Sequence, residues 1–136
     1  MPDDFTQCMV SNSRMAARAI TRRYDAYVRP HGVTATQLSL LGAIRMLPGS
    51  TVSALADKRG FERTTLTRNL DRLEQMGLAA SAAKGRARVP ELTPRGETLL
   101  DELLPLWRKA QEDLRTELSS TTFTDGISLL KRLAKV

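Results

Sequence analysis

The sequence predicts a mainly α-helical domain that carries one small β-hairpin. Apolar residues recur at helical spacing along most of the chain, and the pattern becomes extended only between Leu78 and Leu92. The 136 residues suit one compact domain or one protomer of a small oligomer. The 41% hydrophobic and 26% charged residues are typical of a globular protein and exclude a disordered or fibrous chain.

The first helix is predicted from Thr6 to about Arg29, because this segment contains neither glycine nor proline. One apolar stripe along it consists of Ala16, Ile20, Tyr24 and Tyr27. Pro30, His31 and Gly32 then break the helix. His31 is expected to be a surface or capping residue of this turn.

The second and third helices are predicted from their N-terminal threonines. Thr34 and Gln37 have the spacing of a capping box, and the helix that they open ends before Pro48. Its inward-facing residues are Leu38, Leu41 and Ile44. Thr51 can cap a short third helix that runs from Val52 to Lys58 and stops at Gly60.

The fourth helix is predicted from about Arg63 to Met76, followed by Gly77 as a residue that can take positive φ. Its helical spacing places Leu66, Leu70 and Leu73 on one buried stripe. The opposite side carries polar residues, namely Thr64, Arg68, Asp71 and Gln75, flanked by Thr65 and Arg72.

A hairpin with a basic tip is predicted next. Its strands are Leu78 to Ala83 and Arg88 to Leu92, joined by the turn-like residues Lys84 to Ala87. Pro90 cannot donate a ladder hydrogen bond, so its strand should be short and lie at a sheet edge.

Two C-terminal helices complete the predicted fold. Thr93 and Pro94 start a long helix to about Ser119, which Pro105 should bend without ending. Residues 119–124 are expected to interrupt the helical pattern. Ile127, Leu130 and Ala134 mark a last helix.

The order of these elements is typical of a winged helix-turn-helix, and the charge distribution fits a DNA partner. Residues 51–95 hold nine basic and five acidic residues, a net charge of +4, whereas the other 91 residues carry +2. A helix fits the major groove, where Arg can bridge guanine O6 and N7. A hairpin tip with Lys84, Arg86 and Arg88 can follow phosphates or enter the minor groove.

Several motifs resemble the MarR (multiple antibiotic resistance regulator) family of transcription factors. They are TATQLSLL (34–41), TVSALA (51–56), ERTTLTRNL (62–70), LEQMGL (73–78) and LTPRG (92–96). The resemblance implies a homodimer on a pseudo-palindromic operator, mostly a repressor released by a small aromatic or anionic effector. It also implies one domain over 1–136, with dimerisation helices at about 6–30 and 97–136 and a winged helix-turn-helix at about 34–95.

The same resemblance assigns the predicted DNA-binding residues. Arg63, Thr64, Thr65, Thr67 and Arg68 should read bases or adjoining phosphates, and Arg86 matches the wing-tip arginine of the family. The outer side of the fourth helix adds Arg72, and the hairpin tip adds Lys84 and Arg88, to the predicted set. The family usually has an aspartate two residues before the wing-tip arginine, where this chain has Lys84. We therefore expect stronger phosphate attraction and a less fixed arginine.

Effector and redox candidates are fewer. Tyr24, Tyr27 and His31 are weak candidates for effector binding, and core or surface roles are the alternatives. Cys8 lies near the start of the first helix, where peroxide sensors of the family keep a reactive cysteine, but about 200° round the helix from that position. Arg14 replaces a sensor tyrosine. A passive cysteine, an intersubunit disulfide and a redox-sensing repressor remain open.

Composition also excludes several classes of protein. One cysteine and one histidine exclude an intrachain disulfide framework and a Cys- or His-rich metal site, and no cofactor is expected. Glu97, Asp101 and Glu102 should favour a helix dipole, and no nucleophile or phosphate-loop motif suggests an enzyme. No apolar run approaches the ~18 residues of a membrane span, and no signal peptide is expected, so a cytoplasmic location is predicted. A winged-helix protein–protein interaction module is the alternative function.

Overall fold

The computed structural model describes residues 2–135, and these residues form a mainly helical fold with one antiparallel hairpin, as predicted. Met1 and Val136, the ends of the predicted domain, lie outside the described residues. The elements are α1 (Met9–Val28), α2 (Ala35–Met46), α3 (Val52–Arg59), α4 (Arg63–Gln75), β1 (Ala79–Lys84), β2 (Ala87–Leu92), α5 (Pro94–Leu118) and α6 (Ser120–Ala134).

Threonine hydroxyls begin three of the helices, which confirms those predictions. Thr34 Oγ1 accepts a hydrogen bond from the Gln37 N–H at 3.2 Å, and Gln37 Oε1 accepts one from the Thr34 N–H at 3.0 Å. Thr51 caps α3 by accepting from the Ala54 N–H, and Thr93 caps α5 by accepting from the Gly96 N–H, both at 3.1 Å. Each cap satisfies a first-turn donor that would otherwise lack a partner.

Two predicted helix boundaries are wrong. Phe5–Gln7 forms a separate 3₁₀ turn, because the Asp4 carboxylate accepts from the Thr6 N–H, and α1 begins at Met9 instead of Thr6. The interruption expected over residues 119–124 is a single residue, Ser119, at φ 80°. Its hydroxyl accepts from the Thr122 N–H at 3.2 Å and so starts α6 at once.

One apolar core holds the helix-turn-helix against the long helix. Leu66, Leu70 and Leu73 of α4 are fully buried, as predicted. They belong to the same core as Leu38, Leu41 and Ile44 of α2 and Leu100 and Leu103 of α5. Burying such side chains provides the largest favourable contribution to folding, so the orientation of α4 follows from this core.

Polar bonds join α1 to α5. The Tyr24 hydroxyl donates to Gln111, the Tyr27 hydroxyl donates to the Asp113 carboxylate, and Arg23 forms an ion pair with Glu117. The bond from Tyr27 holds the pKa of Asp113 below its usual value, and the same bond raises the pKa of Tyr27. Only the C-terminal part of the predicted apolar stripe of α1 packs against the protein: the two tyrosines are half-buried, whereas Ala16 is exposed.

The chain ends leave apolar side chains exposed. In α6 Phe123 is buried, whereas Ile127, Leu130 and Leu133 on the same helical face are 39–54% exposed. Met9 and Val10 at the start of α1 are 62% exposed. A face of this kind usually marks a contact surface. No helix within residues 2–135 is long and apolar enough to cross a membrane.

Candidate nucleic-acid interface

The side of α4 opposite the core carries the predicted DNA-binding residues of this helix. Arg63, Thr64 and Arg68 are exposed, and Thr65 and Thr67 are half-buried. Glu62 precedes the helix but its side chain caps none of the first-turn N–H groups. The basic and hydroxyl groups therefore face away from the core, in the arrangement that a groove-binding helix requires.

The hairpin after α4 has the predicted basic tip. Its register runs from the Ala79–Leu92 pair to the Lys84–Ala87 pair, and Gly85 turns the chain at φ 61°. Lys84 and Arg86 are exposed, and neither forms an ion pair within the described residues. Both cations are thus available to a polyanion.

Arg88 differs from the other hairpin cations because α4 binds it. Its Nη1 lies 2.9 Å from Asp71 Oδ1, its Nη2 pairs with Glu74, and its Nε donates to Ser81 Oγ at 3.0 Å. The guanidinium of Arg88 therefore donates to side chains of α4 and β1 within the same chain.

Two shallow grooves bring part of the predicted set together. One, of about 330 Å³, lies between the start of α3, the start of α4 and the hairpin; its polar lining is Thr51, Ser53, Arg63, Thr67, Arg86 and Arg88. The other, of about 470 Å³, follows α4 and is lined by Arg63, Thr64, Thr67, Arg68 and Asp71. Thr65, Arg72 and Lys84 line neither groove. Thr51 and Ser53 were not predicted as residues of the DNA-binding surface; the available signal was their position at the start of α3, the helix that precedes α4.

Comparison with known proteins decides the family. A model of the MarR family matches residues 31–87. MosR, a transcriptional regulator of M. tuberculosis, is 37% identical over 97% of this chain and 98% of its own, with a TM-score of 0.83. The chain belongs to the MarR family. A second MosR structure, in complex with DNA, is 35% identical, covers 95% of each chain and has a TM-score of 0.83.

A more distant MarR-like structure shows the same fold. BpsR of Bordetella bronchiseptica is 19% identical, covers 100% of both chains and has a TM-score of 0.87. The DNA binding of BpsR is regulated by 6-hydroxynicotinic acid. The winged helix-turn-helix fold predicted for this chain is thereby confirmed.

A cavity of about 500 Å³ lies between the helix-turn-helix and the long helices of this MarR-family chain. Its walls include Ile20 and Tyr24 from α1, Trp107 from α5, and Arg59 and Phe61 from the end of α3 and the turn before α4. Burial raises the pKa of Tyr24, whose hydroxyl donates to Gln111 at the same cavity. Arg59, Phe61 and Trp107 were not predicted as ligand-binding residues, because their convergence depends on tertiary packing.

The three predicted effector candidates do not converge. Tyr24 lines this cavity, whereas Tyr27 is bonded to Asp113 outside it. His31 lies in a separate groove of about 670 Å³, together with Arg95 and Glu102. Residues 2–135 contain no cluster of His, Cys, Asp and Glu that could hold a metal ion.

Cys8 occupies the position just before α1. The N–H groups of Ser11 and Val10 at the helix start lower the pKa of its thiol, although none forms a capping hydrogen bond with it. Cys8 is the single cysteine of the sequence, so a disulfide would require a second molecule.

Proposed function

We propose that the chain is a dimeric transcriptional regulator that binds duplex DNA with α4 in the major groove and the hairpin in the minor groove. The observation that carries this proposal is the basic surface formed by Arg63, Arg68, Lys84 and Arg86. Arg63 and Arg68 line the groove along α4, Arg86 lines the neighbouring groove, and Lys84 is exposed at the hairpin tip; none of the four forms an ion pair within the described residues. The DNA complex of MosR, which is 35% identical, supports it.

Position assigns roles to six residues of this surface. Arg68, on the exposed face of α4, is suited to a bidentate contact with a guanine, and Thr64 and Thr67 beside it to base edges or phosphates. Arg86 at the hairpin tip suits the narrow and negative minor groove. Lys84 and Arg72 are suited to phosphates, which provide affinity and orientation without sequence information.

Dimerisation is assigned to the chain ends. The exposed apolar face of α6 and the start of α1 need a partner surface, and a second copy supplies one by symmetry. The helices at about 6–30 and 97–136 then form the frame, and the segment at about 34–95 forms the DNA-binding unit. This frame would hold two copies of α4 at the separation of two operator half-sites.

The cavity between frame and helix-turn-helix is proposed as the effector site. Its aromatic walls and the single cation of Arg59 favour a small aromatic acid, a class that includes the 6-hydroxynicotinic acid of BpsR. A ligand there would contact α1, α5 and the turn before α4 together. Binding would therefore change the position of α4 and weaken repression.

Redox release through Cys8 is the second candidate, because the lowered pKa of the thiol favours the reactive thiolate. It predicts that peroxide releases the protein from DNA and that Cys8→Ser abolishes this release. If the Cys8→Ser protein still dissociates at the same peroxide concentration, the candidate is excluded.

A gel-shift assay with the DNA that flanks the protein's own gene tests DNA binding. Arg68→Ala and Arg86→Ala should each weaken specific binding by roughly tenfold or more, the loss expected for one base-contacting arginine. Arg108→Ala is the matched control, because Arg108 is an exposed arginine of α5 outside the proposed interface. Unchanged specific binding by both variants would refute the assignment.

A further inference from the structure

We infer that Arg88 acts as a positioning residue, which holds the hairpin against α4 and so sets the direction in which Arg86 meets DNA. Arg88 was predicted to contact DNA, but its hydrogen bonds point back into the chain. The inference rests on the DNA-binding function proposed above, and it adds a specificity-determining contact to that function.

The geometry of Arg88 is that of a clamp between two elements. Asp71 and Glu74 are three residues apart on α4, and therefore lie next to each other on its surface. The planar guanidinium reaches both carboxylates, at 2.9 Å from Asp71 Oδ1, while its Nε donates to Ser81 on β1 at 3.0 Å. The guanidinium has five N–H donors in one plane and can therefore bind three acceptors on two elements, whereas the compact ammonium group of a lysine cannot reach all three.

The outer part of the hairpin depends on this clamp. Across residues 80–88, Arg88 makes the only side-chain hydrogen bonds and ion pairs to another element in the described structure. Val89 and Pro90 are buried at the base, whereas residues 80–86 are exposed. A two-stranded hairpin is marginally stable alone, so its tip needs a tertiary contact to hold one direction.

The clamp also changes the charge that DNA would meet. Asp71 lies in the groove along α4 that Arg63 and Arg68 line. An unpaired carboxylate there would repel phosphates, and the ion pair with Arg88 neutralises it. Lys84 is a cation and cannot pair with the guanidinium of Arg86. The hairpin arginine that carboxylates of α4 hold is Arg88.

The test compares Arg88→Gln, the double variant Asp71→Asn/Glu74→Gln, and Lys84→Gln as a control that removes the same charge from an unpaired cation. Amide hydrogen exchange of residues 80–88 is measured without DNA. Affinity is measured for a duplex selected by the wild-type protein from a random pool and for a scrambled duplex, as a function of salt.

A clamp predicts the same change in hairpin exchange and in the affinity ratio for Arg88→Gln and for the double variant, because both remove the contact between the hairpin and α4. Hairpin amides should exchange faster, and the ratio of selected to scrambled affinity should fall about tenfold, the effect of losing one charged hydrogen-bond pair. The slope of log affinity against log salt should stay unchanged for Arg88→Gln. Lys84→Gln should instead reduce the slope by about two per dimer, with unchanged hairpin exchange.

Two results would overturn the inference, and they differ from a failure of DNA binding. If Arg88→Gln reduces the salt slope as Lys84→Gln does while hairpin exchange is unchanged, Arg88 is a phosphate contact. If the double variant retains the wild-type affinity ratio, the carboxylates do not position the hairpin. If the wild-type protein selects no duplex, the proposed function fails, and hydrogen exchange alone then decides whether the clamp exists.

Discussion

The backbone of Gly96 lies directly against the carbonyl group of Leu78. A Cβ at residue 96 would lie 2.9 Å from the Leu78 carbonyl carbon and would overlap its oxygen. The Leu78 carbonyl also accepts a hydrogen bond from the Thr93 N–H at 3.1 Å, and the Thr93 hydroxyl donates to the Gly77 carbonyl at 2.6 Å. The start of α5 is thus joined to the chain that leaves α4.

Gly96→Ala should therefore lower the free energy of unfolding by about 3 kcal/mol, the upper range for overpacking a buried site. Denaturant unfolding monitored by circular dichroism measures this loss. Gly42→Ala is the control, since Gly42 is also helical but its Cβ would meet nothing within 4 Å. That variant should be unchanged or more stable by up to about 1 kcal/mol. Equal stability of the two variants would show that the Gly96 contact is unimportant.

Local signals made most of the fold predictable. The caps at Thr34, Thr51 and Thr93 and the buried stripe of α4 each depend on residues within one or two helical turns. The predicted interruption before α6 was too long, because serine and threonine favour both loops and helix starts. The hydroxyl of Ser119 caps the start of α6 by accepting from the Thr122 N–H.

Contacts between distant segments could not be predicted in the same way. Spacing along α4 places Asp71 on the outer face, but it does not reveal that Arg88 folds back to bind it. Glu97 and Asp101 were expected only to favour the helix dipole, and Glu97 does lie in the first turn of α5; that both also form ion pairs with Arg45 of α2 could not be predicted. Arg59, Phe61 and Trp107 meet at one cavity only after α1, α2 and α5 have packed.

Tyr27→Phe should make stability less dependent on acidic pH. A carboxyl group whose folded pKa is lowered adds stability that is complete above its unfolded pKa of about 3.9 and is lost as pH falls through the folded value. Tyr27 is the largest cause of the lowered pKa of Asp113. The stability difference between wild type and Tyr27→Phe should thus be constant near neutral pH and shrink below about pH 4.

Urea unfolding at a series of pH values measures that difference. Tyr24→Phe is the matched control, because its partner Gln111 does not titrate and the stability difference should be the same across the acidic range. The same pH dependence in both variants would contradict a specific Tyr27–Asp113 contribution.

Leu130→Glu should convert the dimer to monomer at micromolar concentration. Leu130 is 54% exposed in the single chain and lies on the apolar face of α6, so a charge there would be buried without a partner in a dimer. Sedimentation equilibrium distinguishes the two states. Arg132→Glu places the same side chain on the opposite face and should remain dimeric. A dimeric Leu130→Glu protein would move the interface away from α6.

Trp107 fluorescence should report ligand binding in the cavity, because this residue is the only tryptophan of the sequence and lines the cavity wall. We expect benzoate to change the emission saturably and benzyl alcohol to bind more weakly. Arg59→Gln should weaken benzoate binding about fivefold, since a charge-assisted contact is lost, and leave benzyl alcohol binding unchanged. Gly42→Leu fills the cavity and should abolish both signals; saturable binding by that variant would place the ligand elsewhere.

The salt dependence of duplex binding tests the central claim most directly. In the account, α4 and the hairpin of two protomers neutralise DNA phosphates. Log affinity should therefore decrease linearly with log salt, with a slope of about −0.9 for each phosphate contact. Lys84→Gln should reduce the magnitude of that slope by about two per dimer, and Arg108→Gln should leave it unchanged. Absence of duplex binding at low salt, or a slope near zero, would contradict the account and favour a winged helix that binds another protein.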